Sequence, residues 1–265
     1  MTFTVLTLFP EIINAYIGSS IMARAIERGL INCRIINIRD FAFDKHKSCD
    51  DAPYGGGAGM LLLPEPLALA LKSAGVKKRE LSEDFSHKES FTQQKHVIYL
   101  SPSGILFDQK KANKFSKEQE LVLICGRYEG IDKRIIDLYV DEEISTGDYV
   151  LSSGEIGAMV IMDAVHRLVE GVITCESLKE ESFSDGLLEY PQWTRPEVFD
   201  TLRVPEILLS GHHERIRHWR LERRIEKTAK NRPDLLEKGI KAGIFSEEVL
   251  QILKCESNRS KNERD

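Results

Sequence analysis

Leu121-Val122-Leu123-Ile124-Cys125 is a run of five apolar residues that stops at Gly126. A run this short and this apolar suits a strand buried on both faces, and such strands belong in parallel sheets covered by helices. The segment that follows, Gly126-Arg127-Tyr128-Glu129-Gly130-Ile131-Asp132, is punctuated by glycine. A second glycine-punctuated turn, from Thr146 to Glu155, comes soon after. Strand ends of this kind expose backbone N–H and C=O groups, and in α/β proteins small molecules bind there. Two such turns so close together can build one pocket largely from backbone.

The flanking sequence repeats the alternation. Thr2–Leu8, Cys33–Ile38 and His96–Leu100 read as strands. Helices are expected from Pro10, over Ser20–Arg28 with Gly29 at its end, over Pro64–Ser73 and near Asp108–Glu118, then over Ile131–Leu138 and Glu155–Val169. The fold class is therefore α/β with a mostly parallel sheet. Asp40–Met60 reads as a loop, and Val76–Lys95, charged and poor in apolar residues, as a mobile insertion.

Composition changes near residue 174. Glu176–Gly186 is acidic and nearly free of aliphatic side chains, which suits a linker or lid. His212–Arg232 reads as a basic helix and Ser246–Leu253 as a short capped one. The expected division is 1–172 for the α/β domain, 173–187 for a flexible lid, 188–255 for a small helical domain and 256–265 for a disordered tail.

Composition also excludes several classes. A net charge of −5 rules out a general polyanion binder, so any nucleic-acid surface must be local. The five cysteines include no C-x-x-C pair, which favours reduced cytoplasmic thiols over disulfides or zinc. No apolar run reaches membrane-spanning length.

Among the candidate sites, the Pro53–Met60 loop with Gly55-Gly56-Gly57 lets backbone approach something closely or is simply a flexible turn, and it fits neither a dinucleotide fingerprint nor a P-loop. The Gly126–Asp132 and Thr146–Gly154 turns, with Tyr99-Leu100-Ser101-Pro102 as a third strand end, form the stronger candidate; ordinary β-turns with solvated charges are the alternative. In His212–Arg232, eight Lys/Arg stand against three Glu, and Arg217, Arg220, Arg224 and Lys227 fall along one helical face. That face is either a phosphate-tracking surface or simply solvated. Trp193, Trp219 and Tyr190 either stack on bases or pack.

Taken together, these segments resemble the bacterial tRNA (guanine-N1)-methyltransferase family of the SPOUT class. The matching stretches include Thr7–Pro10, Asp50–Gly57, Ile98–Pro102, Cys125–Asp132, Gly147–Leu151, Ser182-Phe183, Gly186–Leu188, Thr194–Glu197, Leu209–His213 and Trp219-Arg220. The resemblance implies a SPOUT-type parallel sheet with a deep trefoil knot, and S-adenosyl-L-methionine (AdoMet) as methyl donor. It implies a homodimer whose active site joins one subunit's knot to the other's lid and C-terminal domain, with tRNA as substrate. The AdoMet pocket carried over by motif is Tyr99, Leu100, Ser101, Pro102, Gly126, Glu129, Gly130, Thr146, Gly147, Asp148, Tyr149, Val150, Leu151 and Gly154. The tRNA-binding residues are expected to be Arg217, Arg220, Arg224 and Lys227.

The implied reaction is methylation of N1 of the guanine immediately 3′ of the anticodon. Arg167 matches the family's active-site arginine, and Glu181 stands where well-known members place an aspartate as general base. Glutamate keeps the carboxylate but adds one methylene, which makes Asp185 the second candidate. Proline is usual in the family where this chain has Ala58 and Gly157, and Gly-Gly where it has Ser153-Gly154. The resemblance leaves room for an assisting Mg2+, although the sequence shows no recognisable metal-ligand cluster. A catalytically inert RNA-binding protein with a vestigial pocket is the alternative from another class. A nucleotide hydrolase is disfavoured by the missing P-loop lysine.

Overall fold

The computed structural model describes residues 1–80, 95–174, 177–178 and 180–262, with side chains described as far as Cys255. They divide into two units, Met1–Ile173 and Thr174–Asp265.

The first unit is built on five parallel strands in the order β2-β1-β6-β5-β7. These are β1 (Thr2–Thr7), β2 (Asn32–Asn37), β5 (Lys95–Leu106), β6 (Glu120–Ile124) and β7 (Glu142–Ser145). The short pair β3 (Asp50–Asp51) and β4 (Leu61–Leu62) is antiparallel. The apolar run that begins at Leu121 forms most of β6, which is flanked by β1 and β5. Its residues alternate between two cores, because successive side chains of a strand point to opposite faces. Val122 and Ile124 pack with Leu67, Leu71 and Ile135, from helices α3 (Pro64–Ser73) and α5 (Lys133–Tyr139). Leu121, Leu123 and Cys125 pack with Ile13, Met22, Phe115, Ile161 and Met162. Those residues come from α1 (Pro10–Ile17), α2 (Ser20–Glu27), α4 (Gln109–Phe115) and α6 (Gly154–His166). A strand covered on both sides has no polar face, which explains its unbroken apolar run.

The chain departs from the sequence expectation at β5 and at the segment before it. The strand expected to stop at Leu100 continues to Leu106, with a register shift between Leu100 and Ile105 that lets both oppose Ile144. Ser101-Pro102 is therefore a bulge within β5 rather than a terminating turn. Proline has no N–H to give the ladder, and a bulge is one of the few strand sites that accept it. Gly104 is needed at this crossing, since a β-carbon there would stand 2.4 Å from the Ile144 backbone nitrogen. At the expected insertion, Val76 is a core residue and Lys95 opens β5, so neither end belongs to it. Residues 81–94 lie outside the described residues.

The second unit carries the antiparallel pair β8 (Val198–Phe199) and β9 (Leu202–Arg203). Its helices are α7 (Glu206–Leu209), α8 (His213–Asn231), α9 (Pro233–Ala242) and α10 (Glu247–Asn262). Leu187, Ile225, Leu236 and Val249 form its core, with Leu221, Phe245, Ile252 and Leu253 against them. Helix α9 was not expected, although Pro233 starts it and Gly243, in the left-handed region at φ 64°, ends it. Helix α10 runs past the expected Leu253 end into the segment expected to be disordered, because no glycine or proline interrupts residues 254–262. Residues 263–265 lie outside the described residues, as do Cys175 and Glu176 of the expected lid.

Candidate active site

The bulge of β5 and the ends of β6 and β7 open onto a cavity of about 240 Å³. Three segments line it: Tyr99–Ser103, Gly126–Gly130 and the stretch from Ile144 to Gly157. Of the residues carried over by motif, all but Gly147 and Asp148 are in the lining. Gly147 is turned under the Tyr149 ring instead, where a β-carbon would stand 2.3 Å from Cε1, and Asp148 is exposed.

Backbone contacts hold the turns together. The Glu129 N–H donates to the Met60 carbonyl at 3.0 Å and the Leu62 N–H to Gly130 at 2.9 Å. The chain at Gly59 presses on Glu129, and a β-carbon on Gly59 would stand 2.4 Å from its Cγ. Gly59 thus supplies the close approach that was expected of the glycine-rich loop, with φ at 89°. Gly55, Gly56 and Gly57 approach nothing, and Tyr54 is fully exposed. On the other side of Gly126, the Gly154 N–H donates to the Gly126 carbonyl at 2.9 Å.

Tyr99 stands between the Gly126 and Gly130 turns. A β-carbon on Gly126 would lie 3.0 Å from its hydroxyl, and one on Gly130 3.1 Å. Burial raises the Tyr99 phenol above its ordinary value, with the Glu143 charge adding to this and the Ile131 N–H opposing it. Its hydroxyl stays protonated across the physiological range. Ser145 Oγ donates to the Gly147 carbonyl at 2.9 Å and accepts from the Gly147 N–H at 3.2 Å, which fixes the second turn.

Behind the cavity lies a charged network that the sequence did not reveal. Glu155 is fully buried and accepts a 2.5 Å hydrogen bond from the Thr7 hydroxyl. Arg127, a lining residue, places Nε 3.1 Å from Glu155 Oε2 and its guanidinium 4.2 Å above the Phe9 ring. The Nε and Oε2 atoms are close but not aligned for a hydrogen bond, so the attraction is mainly charge on charge. Burial and then the Glu155 charge push the Cys125 thiol well above its ordinary value, which leaves it an inert core residue. A glutamate in a helix's first turn reads from sequence as a solvated partner of the helix dipole. Only the fold shows it buried.

Arg167 lies outside the cavity lining, just past the C-terminal end of α6. That helix lines the cavity at Gly154 and Gly157, and at 1.5 Å per residue carries Arg167 about 15 Å beyond the lining. An arginine side chain cannot bridge that distance. Glu181 belongs to the second unit, where its carbonyl accepts from the Ser184 N–H at 3.2 Å and the Ser184 hydroxyl at 2.8 Å. Asp185 is engaged in a bidentate pair with Arg224.

The basic face of α8 is not uniformly open. Arg217 pairs with both carboxylate oxygens of Glu248 at 3.0 Å. Arg220 lies 4.6 Å from the Tyr190 ring centroid, and Lys227 donates to the Glu189 carbonyl at 3.0 Å. Arg224 is 6% exposed and faces the unit's interior. Arg224 therefore offers nothing to a surface ligand in this arrangement. The helical periodicity holds, but the expected stripe is not wholly outward, since Arg224 and Thr228 are buried beside Ile225. Trp193 and Trp219 pack on each other with ring centroids 5.4 Å apart. Among the described residues, no group of three or more His, Cys, Asp or Glu could hold a metal ion, and no helix is long and apolar enough to cross a membrane.

Comparison with known proteins places the chain in a family. Residues 1–238 match the family described as tRNA (Guanine-1)-methyltransferase TrmD. The tRNA (guanine-N(1)-)-methyltransferase of Treponema denticola is 60% identical over 254 residues, covering 96% of this chain and 98% of that protein. Its namesake in Treponema pallidum is 54% identical over 254 residues, covering 96% and 95%. The Borrelia turicatae protein of the same name is 56% identical over 237 residues, covering 89% and 92%. The chain belongs to the tRNA (Guanine-1)-methyltransferase TrmD family.

Proposed function

We propose that this protein is a tRNA (guanine-N1)-methyltransferase that uses AdoMet to methylate the guanine immediately 3′ of the anticodon, in the cytoplasm, as a homodimer with shared sites. The family match supports the reaction class, and the cavity supports the donor. Its walls are backbone turns with exposed donors and acceptors suited to an adenine edge, and Glu129 in the lining suits a cationic ligand. The Gly126 and Gly154 turns are the segments that a trefoil knot would thread, and the proposal includes that knot.

The observation that carries the shared site is the position of Arg167. An active-site arginine about 15 Å along α6 from its own cavity serves the cavity of a second copy. Glu181 of the partner subunit is the proposed general base, as the family resemblance implies. When bound, AdoMet supplies an electrophilic methyl group. N1 of guanine is protonated at neutral pH and is a poor nucleophile until that proton leaves. Glu181 accepts the proton, a role that contributes on the order of 10²–10⁴-fold in rate. Arg167 opposes the negative charge that develops on O6. The turns hold the reacting groups in line, which can lower a barrier by roughly 7–11 kcal/mol.

The test is complementation. An Arg167→Ala protein and a Gly154→Ala protein, each inactive alone, should regain activity when unfolded and refolded together, since the mixed dimer holds one intact site. Failure to regain any activity would overturn the shared site.

A further inference from the structure

We propose that Arg224 is a positioning residue, whose pair with Asp185 fixes the turn that carries Glu181 and so sets where that carboxylate stands. The inference rests on the reading of Glu181 as the general base. Arg224 was expected on the RNA-facing surface, yet its side chain is 7% exposed. A buried guanidinium requires partners, and Arg224 has them at every nitrogen. Nη1 donates to Asp185 Oδ2 at 2.9 Å, Nη2 to Asp185 Oδ1 and Nε to the Leu188 carbonyl at 3.2 Å. The planar fork matches a carboxylate in a way that lysine cannot reproduce.

The clamp extends along one face of α8. Thr228 Oγ1, four residues on, accepts from the Leu188 N–H at 2.9 Å and donates to the Arg224 carbonyl at 2.7 Å. Lys227 holds the Glu189 carbonyl. The turn is also tied internally, with Phe183 N–H to the Leu187 carbonyl at 2.9 Å and Glu189 N–H to Ser182 Oγ at 3.0 Å. Leu187 is fully buried against Ile225, Leu236 and Val249. Residues 181–189 are thus a built part of the second unit. Asp185 is the point where helix and turn lock together, and both its oxygens already accept from Arg224. Its task is to hold the turn.

Single-turnover methylation of tRNA by the full-length protein tests this, with AdoMet affinity measured by calorimetry and tRNA affinity by filter binding. Arg224→Met and Asp185→Asn should each slow methyl transfer markedly, toward the roughly 10²-fold that a misplacement of about 1 Å can cause. Both affinities should stay within about twofold of wild type, and Arg224→Lys should recover only part of the rate. Should Arg224→Met fail to fold, Asp185→Asn carries the test, since Asp185 is half-exposed. In a Glu181→Gln background, adding Asp185→Asn should slow the reaction no further. Undiminished rates in both single variants would overturn the proposal. So would a full further loss in the Glu181→Gln background, or a loss of tRNA affinity in place of rate. Full activity of Glu181→Gln alone would instead overturn the reading of Glu181 as the base.

Discussion

Gly154 and Gly126 touch backbone to backbone: the Gly154 amide donates to the Gly126 carbonyl at 2.9 Å, and a β-carbon on Gly154 would stand 2.6 Å from the Gly126 nitrogen. The first residue of α6 is thereby locked to the turn that leaves β6, and the cavity exists because these two turns meet. Gly154→Ala should force them apart, at a cost of about 1–3 kcal/mol typical of overpacking. Calorimetry should show AdoMet binding abolished or greatly weakened. Binding at wild-type strength would mean that the turns tolerate separation and do not form the donor site.

The sheet was legible in the sequence because its central strands are buried on both faces, and continuous apolar runs signal that state directly. The cavity was legible because glycine turns follow those runs. What could not be read depends on long-range contact. Glu155 is next to Gly154 in sequence but meets Thr7, 148 residues away. Arg224 shares the three- and four-residue spacing of exposed basic residues, and only the packing of Leu187 on Ile225 shows that it points inward. The bulge at Ser101-Pro102 was hidden by proline's usual role in turns.

The buried Glu155 should matter for stability as well as for the cavity wall. Glu155→Gln removes the charge that faces Arg127, leaving that guanidinium without its carboxylate. Breaking a buried pair costs up to about 3–5 kcal/mol, less here because Arg127 is one-fifth exposed. Urea unfolding at neutral pH measures it, and a change near zero would place the network among the inert ones.

Acid should weaken a separate cluster at the end of the sheet. Burial alone would raise the Glu142 carboxyl, but the hydrogen bond and charge of Lys111, with His96 and Lys114, hold it below its ordinary value near 4.5. A depressed carboxyl stabilises the folded state above its unfolded value, and that contribution fades as pH falls through the folded one. The stability gap between wild type and Glu142→Gln should therefore be widest above about pH 5 and shrink as the solution is acidified further. A gap that widens in acid would contradict this.

Salt dependence should separate Arg217 and Arg220 from the buried Arg224 of the same helix. Arg217→Ala and Arg220→Ala should each weaken tRNA binding and reduce the slope of log affinity against log salt by roughly 1 for each phosphate left without its cation. Arg224→Ala should leave the slope unchanged. Equal slopes for Arg217→Ala, Arg220→Ala and wild type would return the helix to a solvated face.

The most direct measurement incubates the purified protein with AdoMet and unmodified tRNA carrying guanine 3′ of the anticodon, then locates any methyl group by nuclease digestion and mass spectrometry. N1-methylguanine at that single position is the expected product, with none when that guanine is replaced by adenine. Methyl at another base or another ring atom, or no transfer by protein that binds AdoMet, would contradict the proposed function.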